Sequence, residues 1–510
     1  MTKPLVLDGS PFTIEQLVRV AREHLPIQPA PDALARVQAS RDRLLATVAD
    51  GAAYYGINTG FGSLSRTRID DDALAGLQLN LIRSHASGVG DLLPEDVVRA
   101  TMLALAGSLS RGLSGVRSVI VETIAAALNA GITPEVPEIG SVGASGDLAP
   151  LAHITLTLLG EGRCTVRGRA MDAADALRDA GITPLSLEAK EGLALINGTH
   201  LMAGRGALVI HDCTCAFRAA VGAAAMSMDA CRTTHRFLDA RVHDARRHDG
   251  AAAVARRLRL ILADSQIAQA HSENDPRVQD PYSFRCAPGV LGAAYDLLQH
   301  ARTAIEAELG AVTDNPLVFP AGDDRADIVS AGNFHGMPIA LPLDTLALTA
   351  AHAAGISERR LFHMLSVFDP ESGLKPFLSP YPGLHSGYMI VQYAAAAACN
   401  ELIGLCTPAT VSNIPTCAEM EDYNSFGPRA VAKADRAVRL LRHVIAAELL
   451  CAAQALESHR PLRSGAGVEQ VYSIVRKHVA ALDADRSPAP DLRQLDTLIA
   501  AGAFDEACTL

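Results

Sequence analysis

Apolar side chains recur along this chain at the three- and four-residue spacing that lines one face of a helix. Thr13-Ile14-Glu15-Gln16 fits a capping box, and Leu17, Val18, Ala21 and Leu25 follow on a single face. A second run carries Leu34, Val37, Leu44, Leu45 and Val48 before Gly51 stops it. From Arg429 to Ser458 neither Gly nor Pro occurs, and Val431, Val438, Leu441, Ile445, Leu449 and Leu456 keep helical spacing. A helix of that length spans about 45 Å. Alanine-rich runs at 207–232, 290–310 and 341–365 behave alike, which predicts a mainly α fold whose core is a bundle of long, closely approaching helices. Between them lie glycine-rich islands at 56–62, 87–90, 138–147, 197–199, 280–289, 331–338 and 412–427, where functional residues tend to sit. A boundary near residue 205 divides a smaller N-terminal domain, 1–205, from a long-helix bundle, 206–510.

Composition narrows the function classes. With 45 basic against 56 acidic residues the formal charge is −11, which argues against a nucleic-acid or polyanion partner. The chain is 49% hydrophobic and only 20% charged, so a large packed core is expected. Aromatic residues make up 4% and tryptophan is absent, so alanine, leucine and valine dominate the apolar fraction and favour helix over an all-β architecture. The opening residues carry no visible secretory signal, and the longest uncharged stretch, between Lys375 and Glu401, is broken by prolines and polar residues, so no membrane span is expected there. Ten dispersed cysteines without a CxxC read as reduced thiols of a cytoplasmic protein.

Several familiar sites can be set aside. Gly56-Ile57-Asn58-Thr59-Gly60-Phe61-Gly62 is glycine-rich but lacks the Gly-Lys-Ser/Thr of a phosphate loop. Ser145 misses the nucleophile-elbow spacing by one residue. No HExxH occurs, and His243 and His248, five apart, would fall on different faces of a helix, so no metal is expected.

The unusual island runs from Pro137 to Pro150. Alone, its Ala144-Ser145-Gly146 reads as a tight loop before a helix starting near Asp147. It also has a specific chemical capacity. If the loop presses the Gly146 nitrogen onto the Ala144 carbonyl carbon, a five-membered ring can close, and glycine at the attacking position removes the Cβ that would obstruct the approach. Ser145 then has a hydroxyl β to an acidic Cα–H, so loss of water leaves an exocyclic methylidene conjugated to the ring.

Residues 140–153, GSVGASGDLAPLAH, are similar to the signature of the histidine and aromatic amino-acid ammonia-lyases and aminomutases, which build a 4-methylideneimidazol-5-one prosthetic group from Ala-Ser-Gly. Five further stretches resemble that family's motifs in order: Tyr55–Gly62, Glu191–Thr199, Gln279–Cys286, Gly332–Gly336 and Ser386–Met389. The resemblance covers roughly residues 10–500. It implies a helical fold of the fumarase/aspartase-like type, a homotetramer whose active sites draw on three subunits, and an electrophile formed from Ala144, Ser145 and Gly146 with no external cofactor. Such an electrophile suits the reaction, since ammonia is a poor leaving group and the β-proton is barely acidic.

The same resemblance implies roles. Tyr55 is the candidate base, if positive charge or hydrogen bonds lower its pKa. Arg285 would grip the substrate carboxylate with two parallel hydrogen bonds. Asn197 and Tyr282 match residues that contact the carboxylate and the prosthetic group, and Gln279 and Phe334 match pocket residues beside them. Asp147 would assist ring closure, although a helix N-terminal residue is equally good physics.

Two positions bear on the substrate. Arg83-Ser84-His85 resembles the Ser-His pair of the histidine enzymes, and Glu421 stands where those enzymes carry Glu and phenylalanine enzymes carry Gln. An imidazole donates and accepts hydrogen bonds, so His85 and Glu421 suit it, whereas a phenyl ring would leave both unsatisfied. The resemblance therefore implies deamination of L-histidine to trans-urocanate. Glu419, Met420, His200, Ala287 and Gly289 depart from the histidine-enzyme pattern, which leaves a phenylalanine or tyrosine ammonia-lyase, an aminomutase, or an inactive structural homologue as alternatives.

Overall fold

The structure of the chain, a computed structural model, describes residues 3–273, 275–366 and 369–510. Helices dominate it. Two compact units emerge: one comprises Met1–His211, Arg302–Asp344 and Ala409–Ala432, the other Asp212–Ala301, Thr345–Pro408 and Lys433–Leu510.

In the first unit the capping box opens the helix Ile14–Arg22, with the Gln16 amide donating to Thr13 Oγ1 at 3.2 Å and the Thr13 amide to Gln16 Oε1 at 2.8 Å. Leu17, Val18 and Ala21 are buried as the spacing predicts. The helix Pro31–Val48 departs from its predicted face. Leu44 enters a small core with Ile57, Val318 and Ala326, but Leu45 is 44% exposed and Arg41 is buried in its stead. Arg41 is tolerated there because its guanidinium donates to Gly115 O, Ala189 O and Glu188 Oε2 at 2.7–3.2 Å. Arg99, also buried, donates to the carbonyls of Val20, Ala21 and Leu128 near the ends of Ile14–Arg22 and Ser118–Ala130. A cation at helix C-termini satisfies carbonyls that have no intrahelical partner.

Short sheets brace this unit. Leu5–Leu7 pairs in parallel with Ile27–Pro29, Val89–Leu92 pairs antiparallel with Pro137–Ile139, Arg163–Val166 lies between Ile132–Pro134 and Arg169–Asp172, and Leu317–Ala321 forms a hairpin with Arg325–Val329.

The predicted long helices are His200–Ala230, Ala287–Glu308, Met337–Met364 and Gly427–Glu457. Alanine serves as expected in the second unit, where Ala219, Ala220, Ala223, Ala224 and Ala225 are fully buried. A Cβ on Gly222 of the same helix would lie 2.7 Å from Cys508 Sγ, so small residues are needed at this approach. That unit also buries Glu448, whose carboxylate is bound by Arg360 through two nitrogens and by the hydroxyls of Ser227 and Ser357. Both charges are fully shielded from solvent, and such a pair is tolerated because all its partners are present. His200–Ala230 and Met337–Met364 are long and apolar enough to cross a membrane, and 78% and 61% of their most apolar stretches are buried inside the protein.

Candidate active site

The Ala-Ser-Gly island lies between the strand Pro137–Ile139 and the helix Leu148–Leu158, and backbone and side-chain groups hydrogen-bond to its backbone from both sides. On one side the Ser145 carbonyl accepts from Asn197 Nδ2 at 2.8 Å and from the Gly198 amide at 3.4 Å, and the Asp147 amide donates to Gly198 O at 2.7 Å. On the other, the Phe426 amide donates to Val142 O at 2.9 Å, and Ser425 Oγ and the Gly336 amide donate to Gly143 O at 2.9 and 3.2 Å. Gly146 has φ +76°, and a Cβ there would sit 2.1 Å from Gly198 O, so no side chain fits. A glycine nitrogen without a Cβ, in a loop fixed at both flanks, matches what ring closure onto Ala144 demands, and the residues present fit the implied prosthetic group.

Asp147 precedes Leu148–Leu158 but makes no side-chain cap to that helix. Its carboxylate instead accepts from the amides of Leu201 and Met202, both at 3.0 Å, at the start of His200–Ala230, and from Ser141 Oγ at 3.0 Å. Complete burial pushes its pKa up to about 7, against the lowering by these donors. The N-terminal cap of the long helix thus comes from more than fifty residues away, which explains why local signals place its start too late.

Ser145 faces a cavity of about 590 Å³ formed within the first unit. Its polar lining includes Tyr55, Asn80, Ser84, His85, Asn197 and Glu421, and its apolar lining Leu64, Leu81, Leu148, Leu193, Ile196 and Phe334. Ser145 Oγ donates to Glu421 Oε1 at 2.6 Å, although 276 residues separate them. His85 Nδ1 lies 2.8 Å from Leu81 O. A carbonyl can only accept, so Nδ1 is assigned the proton and Nε2 is left as an acceptor. Tyr55 Oη accepts from the Gly62 amide at 3.3 Å.

The electrostatics of Tyr55 differ from what the base role requires. Burial foremost, then the neighbouring Glu421 and Cys417 charges, raise its pKa, and only the Gly62 amide opposes them. No Lys or Arg occurs among the described residues lining the cavity. Among the described residues no positive charge contributes the expected lowering.

Tyr55, His85, Ser145, Asn197, Phe334 and Glu421 are brought together in the cavity. Gln279, Tyr282 and Arg285 belong to the second unit and form their own group, where Arg285 stacks 4.4 Å from the Tyr282 ring centre and donates to Gln279 Oε1 at 2.8 Å. Tyr282 is 69% exposed. Of the departures from the histidine-enzyme pattern, His200 is buried outside the cavity lining, its pKa pushed down to about 4 by that burial. Glu419 and Met420 are exposed in the turn before Glu421. Ser84, the serine of the Ser-His pair, lines the cavity beside His85, and Asn80 joins the site without having been expected there, yet Leu77, Asn80, Leu81, Ser84 and His85 share one face of Leu74–His85 at helical spacing, a stripe visible in the sequence.

Comparison with known proteins places these features in a family. The family model for aromatic amino acid lyases matches residues 12–477. A histidine ammonia-lyase of Sorangium cellulosum is 43% identical over 504 residues, 98% of each chain. Among solved structures, histidine ammonia-lyase from Trypanosoma cruzi superposes with TM-score 0.91 at 38% identity, over 99% of this chain and 95% of the other. Tyrosine aminomutase from Streptomyces globisporus does so with TM-score 0.92 at 35% identity, over 99% and 98%. The mainly helical, fumarase/aspartase-like fold and near-complete coverage lead to one conclusion: the chain belongs to the aromatic amino acid lyase family and is an enzyme of the ammonia-lyase class.

Proposed function

We propose that the chain removes ammonia from L-histidine to give trans-urocanate, using a 4-methylideneimidazol-5-one made from Ala144, Ser145 and Gly146. The observation that carries this reading is the convergence of His85 and Glu421 on the cavity that Ser145 faces. The prosthetic group supplies an electrophilic carbon that makes the substrate nitrogen a better leaving group. Asn197 holds the Ser145 carbonyl, and Asp147, whose pKa near 7 lets it hold or release a proton at neutral pH, assists ring closure. Leu64, Leu81, Leu148 and Phe334 form the apolar walls against which an aromatic ring packs. His85 Nε2 accepts from one ring nitrogen and Glu421 from the other, an arrangement that an imidazole with an N–H at both nitrogens satisfies. Tyr55 removes the β-proton.

With no Lys or Arg among the described residues that line it, the cavity cannot neutralise the substrate carboxylate. We assign that task to Arg285, with Tyr282 and Gln279 beside it, supplied by a second copy in a homotetramer with shared sites. The helix Met389–Leu405 supports assembly, since Ile390, Tyr393 and Ile403 are 59–69% exposed on it. Ten free cysteines accord with a cytoplasmic enzyme.

Supplying L-histidine, L-phenylalanine and L-tyrosine separately and following the unsaturated acid by absorbance tests the proposal. Urocanate should form from L-histidine, with no comparable release from the other two. Cinnamate without urocanate would overturn the assignment of His85 and Glu421, and a β-amino product would make the chain a mutase.

A further inference from the structure

We propose that Thr416 is a positioning residue that fixes the Glu421 carboxylate so that one oxygen alone faces the substrate ring, which makes Thr416 a determinant of specificity. This rests on reading the cavity as an imidazole site. Glu421 closes a hairpin in which the Thr416 amide donates to Glu421 O at 3.0 Å and the Glu421 amide to Thr416 O at 3.3 Å. Cys417, Ala418 and Glu419 in the turn have φ of 52°, 50° and 66°. Three successive non-glycine residues in the left-handed region are unfavourable and persist only where surrounding contacts determine them. Those contacts stand at the base of the hairpin, where Asn413 Nδ2 donates to Asp422 O at 2.7 Å, the Asn424 amide donates to Asn413 Oδ1 at 2.8 Å, and Asn424 Nδ2 donates to Ile414 O.

The register so enforced places Thr416 Oγ1 2.7 Å from Glu421 Oε2, with the hydroxyl donating. The other oxygen, Oε1, accepts from Ser145 Oγ. Dehydration of Ser145 would expel that hydroxyl as water, and Oε1 would lose its donor on the wall of the cavity. Held at Oε2, the carboxylate cannot turn away to find another partner. A ring N–H would satisfy Oε1, whereas a phenyl edge would leave it unpaired, the kind of loss on which polar sites discriminate most strongly.

The test compares Thr416→Val and Thr416→Ser. Binding of L-histidine and L-phenylalanine is measured by calorimetry in the Ser145→Ala background, where turnover cannot interfere, and KM and kcat for L-histidine are measured in the active enzyme. Thr416→Val should weaken L-histidine roughly ten-fold, leave L-phenylalanine within about two-fold, and raise KM more than it lowers kcat. Thr416→Ser, which keeps the hydroxyl, should behave as the unsubstituted protein. Equal weakening of both amino acids, unchanged binding of L-histidine, or a Ser variant that behaves like the Val variant would each overturn the proposal. If the unsubstituted enzyme releases no urocanate and its Ser145→Ala form binds no L-histidine, the imidazole reading itself fails, and the role of Thr416 with it.

Discussion

Replacing Ser145 with alanine is expected to leave a folded protein whose kcat toward L-histidine is lower by a factor on the order of 10⁴ to 10⁶, the scale on which loss of a covalent catalyst acts. The side chain removed is small and partly solvent-exposed, and the hydrogen bonds that clamp its loop, from the Asn197 side chain and the Gly198 and Phe426 amides, do not involve the hydroxyl. Dehydration already removes the 2.6 Å hydrogen bond from Ser145 Oγ to Glu421, so alanine costs the active enzyme no contact there, and the carboxylate still accepts from Thr416 and faces a cavity that water can fill. Stability should therefore change by less than about 1 kcal/mol, within the range of ordinary surface substitutions and small polar losses. Thermal unfolding beside steady-state kinetics checks both halves. Full activity in this variant would show that the serine supplies no electrophile, and collapse of the fold would show that the loop depends on the hydroxyl more than its hydrogen bonds indicate.

Tyr55→Phe is expected to lower kcat by about 10² to 10⁴, the usual contribution of a positioned general base, with little change in affinity for L-histidine. The substitution removes only Oη and its 3.3 Å bond from the Gly62 amide, and leaves the ring packed in the cavity wall. The pH dependence carries more information. A phenol whose pKa is raised is mostly protonated at neutral pH, so the phenolate fraction, and kcat/KM with it, should rise as pH rises toward the pKa. Glu421 contributes to that raising, and removing a negative charge eases ionisation of a neighbouring phenol. In Glu421→Gln the alkaline rise should therefore shift to lower pH, although overall activity falls. A rise that persists unchanged in Tyr55→Phe would assign the titration to another group.

The helical fold is legible in the sequence because alanine and leucine recur at helical spacing over runs too long to arise in loops, and Gly427–Glu457 differs by only two residues at its start from the run predicted. Interactions between distant residues stay hidden. Arg41 and Arg99 are buried with no local sign of it, because their partners lie 29 to 148 residues away in the chain. The start of His200–Ala230 has no local signal, since its cap, Asp147, belongs to another helix's flank. The Ala-Ser-Gly island is legible as chemistry, because a glycine that nothing else can replace leaves a strong local mark. Thr416 leaves none, as its meaning depends on the register of a hairpin with three left-handed residues that carry no glycine. The electrostatic setting of Tyr55 is equally invisible, since Glu421 and Cys417 approach it only once the chain is folded.

The mass of the intact protein bears most closely on the origin of the electrophile. Closing Ala144 onto Gly146 releases one water and dehydrating Ser145 releases another, so the purified, folded chain should weigh two waters less than its 510-residue sequence. The Ser145→Ala variant, which has no hydroxyl to lose, should fall short by one water at most. An unsubstituted protein that releases urocanate while retaining the full mass of its sequence would contradict the claim that Ala144, Ser145 and Gly146 form the electrophile.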